Sequence, residues 1–121
     1  MQLMRLHHAQ VTVRPDQVEQ ALIFYGQTLG LAQILKPDSL QGRGGFWLAL
    51  GDIEIHLAIE EGVDRLRTKA HLAYQVDDLE GWRQRLQQQG IAPEACIPIP
   101  GMERFEFRDP FGNRVELLQL S

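Results

Sequence analysis

Phe105-Glu106-Phe107-Arg108-Asp109-Pro110-Phe111-Gly112-Asn113-Arg114-Val115-Glu116-Leu117-Leu118 reads as two strands joined by a tight turn. Pro110 presets φ at the turn, Asp109 can accept hydrogen bonds from the turn backbone, and Gly112 supplies freedom where the chain reverses. On the return strand Val115 and Leu117 alternate with Arg114, Glu116 and Leu118, so a core on the first side turns Glu116 away from it. A carboxylate on a stiff strand needs solvent or a positive partner.

Upstream of the hairpin the pattern is strand, capped helix, strands. Ala70 to Val76 alternates, with Leu72, Tyr74 and Val76 on one face and His71, Ala73 and Gln75 on the other. Asp77, with Glu80 three residues on, reads as the cap of a helix whose apolar stripe is Leu79, Trp82 and Leu86 and which ends at Gly90. A proline-broken strand is expected over 91 to 99, then a strand from Met102 to Arg108.

The first half of the chain has the same order. Leu6 to Arg14 places His7, Ala9, Val11 and Val13 on one face and His8, Gln10 and Thr12 on the other. Pro15-Asp16 opens a helix, with Asp16 as cap and Glu19 in capping-box position, and Val18, Ala21, Leu22, Tyr25 and Leu29 form one stripe before Gly30. Strands follow over 31 to 35, 46 to 50 and 53 to 59. In the last of these Ile53, Ile55, Leu57 and Ile59 face a core and Glu54, His56 and Ala58 face away. Trp47 and Trp82 fit apolar patterns and are read as core.

The two halves match by subtraction. Gly30 to His56 is 26 positions, as is Gly90 to Glu116, and His8 to Val13 is five, as is His71 to Val76. The expected class is α+β: two βαβββ modules forming a curved mixed sheet, a partial barrel around a metal cleft, with helices on its outer face. Residues 1–121 make a single domain, with one module over about 1–60, a charged connector over about 60–69 and a second module over about 70–121.

A formal charge of −4 and no cluster of Lys and Arg argue against nucleic acid or an anionic membrane as partner. A lone cysteine, Cys96, precludes an intrachain disulfide and a thiolate-rich metal site. With neither a signal-like apolar run nor a bilayer-length segment, the expected location is cytoplasmic.

Four side chains occupy matching places on the faces opposite the apolar ones: His8 and His71 near the start of each module's first strand, His56 and Glu116 in the fourth strand of each. Imidazole nitrogens with one carboxylate suit a divalent ion such as Ni, Zn, Co, Fe or Mn, and rigid strands would hold such ligands while leaving positions open for substrate. His7, of opposite parity to His8, reads as an edge histidine. Gln10, Gln75, Glu54 and Glu106 share the parity of the four, and Arg14, Arg104 and Arg108 are candidates for an anionic substrate, with solvated strand-end charge as the alternative.

The duplicated module order, the segment Ala21-Leu22-Ile23-Phe24-Tyr25 with Leu29-Gly30-Leu31, and the ending Asp109-Pro110-Phe111-Gly112-Asn113-Arg114-Val115-Glu116 resemble the vicinal oxygen chelate superfamily. That group includes glyoxalase I, bleomycin-resistance proteins, fosfomycin-resistance enzymes, methylmalonyl-CoA epimerase and extradiol dioxygenases. The resemblance implies metal ligands at His8, His56, His71 and Glu116, and it implies that Glu116 can also take a proton next to a substrate carbonyl. Where this chain has His56, bacterial-type glyoxalase I usually has Glu and the epimerase Gln, so His56 is a ligand, an acid or base beside the ligands, or a solvated residue. The implied function is a glyoxalase-like isomerase or lyase on a small substrate that chelates one divalent ion through vicinal oxygens. An iron-dependent extradiol dioxygenase and a non-catalytic, bleomycin-resistance-like binding protein are the alternatives. A homodimer is expected, because sheet edges need covering and members of the group often pair about a two-fold axis.

Overall fold

A computed structural model describes residues 1–121. The chain divides into two compact units, Met1–Val63 and Asp64–Ser121, and the division falls inside the charged 60–69 segment. The class is α+β, and each unit is one βαβββ module with its own four-stranded mixed sheet.

In the first module the strands are β1 (His8–Val13), β2 (Ala32–Ile34), β3 (Phe46–Leu50) and β4 (Ile53–Ile59), in the order β1-β4-β3-β2. β1 runs parallel to β4, and the β3–β4 and β2–β3 pairs are antiparallel. Helix α1 (Val18–Ile23) continues into a single π turn over Phe24–Thr28. The apolar parity holds: Val13, Ala21, Phe24, Tyr25, Phe46, Leu48, Ile55 and Leu57 are buried.

The start of this helix differs from the expectation. A 3-10 turn over Pro15–Gln17 precedes α1, and Arg14, not Asp16, is its cap. The Gln17 side chain accepts from the Arg14 backbone N–H at 3.0 Å, and the Gln17 N–H donates to the Arg14 carbonyl at 3.0 Å. Proline at the first position supplies the helical φ and lacks the N–H that would need capping, so the cap moves one residue upstream of it.

The second module repeats the order with β5 (His71–Gln75), α2 (Leu79–Gln88), β6 (Glu94–Ala95), β7 (Met102–Arg108) and β8 (Arg114–Leu120), paired β5-β8-β7-β6. Leu79 and Leu86 of α2 are buried with Phe105, Phe107, Phe111, Val115 and Leu117. Asp78, rather than Asp77, caps α2 by accepting from the Gly81 N–H at 3.0 Å. The Leu79 N–H, also at the helix start, donates to the Gln119 side chain of β8 at 2.9 Å. The strand expected over 91 to 99 shrinks to the two residues of β6, since Pro93 and Pro98 cannot donate to a ladder.

The closing turn is built on Asp109, which is 3 % exposed. Its carboxylate accepts from the N–H groups of Phe111 and Asn113 at 3.0 and 2.8 Å, and its own N–H donates to the Asn113 carbonyl at 2.8 Å. Gly112 takes φ 101°, a region other residues avoid, and the reversal sets β7 and β8 in register with Glu106 opposite Glu116. No helix of the chain is long and apolar enough to cross a membrane.

Candidate functional site

Each module gathers its chemistry-bearing side chains on the sheet face opposite its buried apolar residues. In the second module, β5 and β8 run parallel with Ala73 opposite Glu116, so His71, two residues before Ala73, lies diagonal to the carboxylate. His71 Nε2 is 3.4 Å from Glu116 Oε1. The other ring nitrogen, Nδ1, is 3.0 Å from the Lys69 carbonyl. A carbonyl only accepts, so Nδ1 carries the proton and Nε2 of the neutral ring points its lone pair at a carboxylate oxygen. The same oxygen accepts from Arg104 Nη1 at 2.9 Å, so Nε2 of His71 is the lone pair left to meet a cation.

Glu106 adds a second carboxylate. His71, Glu106 and Glu116 offer ligand atoms that all lie within 4.8 Å of one another. Two arginines balance the pair: Arg104 Nη1 donates to Glu116 Oε1 at 2.9 Å, and Arg114 donates to both oxygens of Glu106 at 2.6 and 2.8 Å. The Arg114 hydrogen bonds hold the Glu106 carboxyl below the usual glutamate range, although burial pushes it the other way. The donor chemistry, one imidazole with two carboxylates, suits a divalent ion of the borderline class.

In the first module the rings stack. Trp47 and His56 face each other across the β3–β4 pair with centroids 3.9 Å apart and planes 3° apart, and His8 stacks on His56 at 4.1 Å and 15°. His56 is buried at 5 % exposure, with Nε2 2.9 Å from Glu54 Oε1. That bond holds the Glu54 carboxyl below its usual range. While the bond stands, His56 donates from Nε2, which leaves Nδ1 as its acceptor or ligand atom. Nδ1 of His8 lies 3.0 Å from Nδ1 of His7, so Nε2 of His8 is the nitrogen left over.

Trp47 is therefore not a core residue. Phe46 and Leu48 are the buried pair on β3, and the period of two turns Trp47 to the histidine face, where it is half-buried. A tryptophan between two apolar residues carries no signal of its own about which face it takes.

The remaining sequence-predicted residues divide. Gln10 is paired in register with His56 and shares its face. Gln75 lies at the opposite end of β5 from His71, away from the carboxylates. Arg14 pairs with Asp16 at 3.3 Å beside the helix start and is not gathered with the histidines. Arg108 donates to the carbonyls of Arg65, Gly112 and Thr68, at 2.9, 3.2 and 3.3 Å, so it ties the connector to the closing turn. Arg114, which no periodicity singled out, belongs to the carboxylate group because it sits opposite His71 in the β5–β8 register.

The glyoxalase/bleomycin resistance protein/dioxygenase superfamily model matches residues 5–117. The chain belongs to this superfamily. A relative in Arabidopsis thaliana, Glyoxylase I 4, is 27% identical over 127 residues, covering 97% of this chain and 71% of the relative. Among solved structures, a glyoxalase family protein from Bacillus anthracis has a TM-score of 0.90 and 35% identity, covering 100% of this chain and 98% of that one. A lactoylglutathione lyase from Agrobacterium tumefaciens has a TM-score of 0.73 at 21% identity, covering 98% and 95%, a likeness of fold. In this glyoxalase-superfamily chain, the sheet faces that carry His8, His56, His71 and Glu116 are the ones just described.

Proposed function

We propose that this protein is a metal-dependent enzyme of the glyoxalase type, a lyase or isomerase acting on a small substrate with vicinal oxygens. The observation that carries the reading is the His71–Glu116 pair: an imidazole whose Nδ1 proton is held by the Lys69 carbonyl and whose Nε2 faces a carboxylate oxygen at 3.4 Å. The proposed ligands are His71 and Glu116 in the second module, where Glu106 is within ligating reach of both, and His8 and His56 in the first.

When bound, a divalent ion would polarise the two substrate oxygens as a Lewis acid. Lys69 keeps His71 in the tautomer that presents Nε2. Arg104 holds the Glu116 carboxylate in place and balances its charge. Glu116 is then the base that removes a proton from the carbon next to a substrate carbonyl and returns it to the neighbouring carbon, the transfer that an isomerase or lyase of this kind requires. Glu54 orients the buried His56 ring through Nε2.

A metal-free binding protein is the second reading, and a specific observation favours it: Arg104 already supplies Glu116 with a cation, at 2.9 Å. Elemental analysis of gently purified protein decides between them, with His8→Ala and His71→Ala beside it. Nickel, cobalt or zinc, lost in both variants, supports the isomerase or lyase. Iron together with ring cleavage of a catechol supports a dioxygenase. Absence of metal at any loading overturns the enzyme reading and leaves the binding protein. With metal present, Glu116→Gln lowers turnover of α-oxoaldehyde–thiol adducts by ~100-fold or more; unchanged turnover removes Glu116 as the base. A homodimer belongs to the same reading, because β1 and β5 each end the order of their own sheet and leave an edge for a second copy to cover. Light scattering tests it.

A further inference from the structure

Both modules hold a cavity, and their walls differ in charge. The second module's, of about 510 Å³, is lined by Glu94 and Glu106 as well as Arg108 and Arg114, so its formal charges cancel. The first module's, of about 710 Å³, is lined by Lys36, Arg43, His8, His56, Gln10 and Trp47 among others, and no carboxylate lines it. Its volume is that of a small-ligand pocket.

The cations of the first cavity stand on a braced loop. Lys36 Nζ donates to the Gly44 carbonyl at 2.6 Å, the Gln41 side chain donates to the Lys36 carbonyl at 3.1 Å, and the Leu40 N–H donates to the Pro37 carbonyl at 2.9 Å. At the loop's return Gly44 and Gly45 have φ of 72° and 77°, and both lie so close to β4 that a Cβ would overlap the Ile59 side chain or the Leu57 carbonyl. Arg43 ends the short helical turn Asp38–Arg43, directly before a return that only glycine fits. Its guanidinium has no protein partner, and Lys36 has two N–H donors beyond the one on Gly44. Asp38 is on the same loop but not on the cavity wall. The Trp47–His56–His8 ring stack lines the same cavity.

We infer that this cavity takes a small planar carboxylate, an anionic group on an aromatic or conjugated body, with the anion read by Arg43 and Lys36 and the flat body lying against the rings. The inference goes beyond the reading above by naming a ligand class for this one cavity, and the binding itself needs no metal. Guanidinium and carboxylate match as a planar fork, and permanent cations at a mouth free of carboxylates select charge as well as shape.

The test is run in EDTA, so that its failure and the failure of metal-dependent turnover are separate results. The probes are 4-hydroxybenzoate, its neutral amide 4-hydroxybenzamide, and the saturated cyclohexanecarboxylate. Proton–nitrogen NMR spectra report the two indole N–H signals, told apart with Trp82→Phe. The expected result is that 4-hydroxybenzoate shifts the Trp47 signal and not that of Trp82, and binds about tenfold or more tighter than either other probe. Arg43→Met and Lys36→Met each weaken it by several-fold, and Arg43→Lys recovers part of the loss. Both positions are outside the buried core, and unchanged indole shifts in the free variants establish that they fold. Equal affinity for the acid and the amide overturns the anion assignment. A Trp47 signal that stays put, or binding indifferent to both cation variants, overturns the site.

Discussion

Arg104 donates to Glu116 across the β7–β8 pair at 2.9 Å, from a position diagonal to it in register. The residue directly opposite Glu116 is Glu106, so two carboxylates would face each other unrelieved without the arginines. Arg104→Met is expected to lower stability in EDTA by about 1–3 kcal/mol, the scale of a lost hydrogen bond to a charged group. If a divalent ion occupies this position, its addition raises the melting temperature of the variant more than that of the wild type, because binding to the native state stabilises by mass action. Calorimetric melting with and without metal measures both. A variant as stable as wild type in EDTA would contradict the role given to Arg104.

The Arg114–Glu106 pair gives a pH signature. Because the folded state lowers the Glu106 pKa, the pairing stabilises fully above the ordinary glutamate value and is lost as pH falls through the lowered one. Arg114→Met therefore lowers stability at pH 7, where the pairing is fully present. The difference between wild type and variant shrinks on acidification below the ordinary glutamate range. Urea melts at a series of pH values follow it, and a difference that is flat with pH would assign the arginine's effect to packing instead.

Stacking on Trp47 is part of what fixes the buried His56 ring. Trp47→Phe is expected to be mild and Trp47→Ala to cost about 0.5–1.5 kcal/mol beyond the lost apolar area. The Ala variant also broadens the His56 ring signals in NMR. Equal stability of the Phe and Ala variants would count against a stacking contribution.

Two glycines with nearly the same positive φ are expected to respond differently to alanine. Gly30 at φ 78° has nothing within 4 Å of an added Cβ, so Gly30→Ala costs only the left-handed backbone penalty, about 1–2 kcal/mol. Gly45 at φ 77° adds a collision with the Leu57 carbonyl, which cannot move without disturbing β4. Gly45→Ala should therefore cost clearly more, and parallel denaturation of the two variants checks the order.

Much of the architecture was legible in the sequence, because strand parity, capping residues and turn chemistry are local signals. The Asp109 turn, the burial of Val115 and Leu117, and the duplicated module order could all be read along the chain. Local signals erred by one or two residues at helix starts, where Arg14 and Asp78 took the caps expected of Asp16 and Asp77. Rather longer was the miss at 91 to 99, where two prolines left a two-residue strand.

The sequence by itself determined which face His8, His56, His71 and Glu116 occupy, since alternation assigns a face to every strand residue. Only the tertiary structure decided their neighbours. Cross-strand register is a long-range property, and it brought Trp47 against His56, Arg104 onto Glu116 and Arg114 onto Glu106, while turning Arg108 to the backbone of the connector. Parity says which side of a sheet a residue is on; pairing between distant strands says whom it meets there.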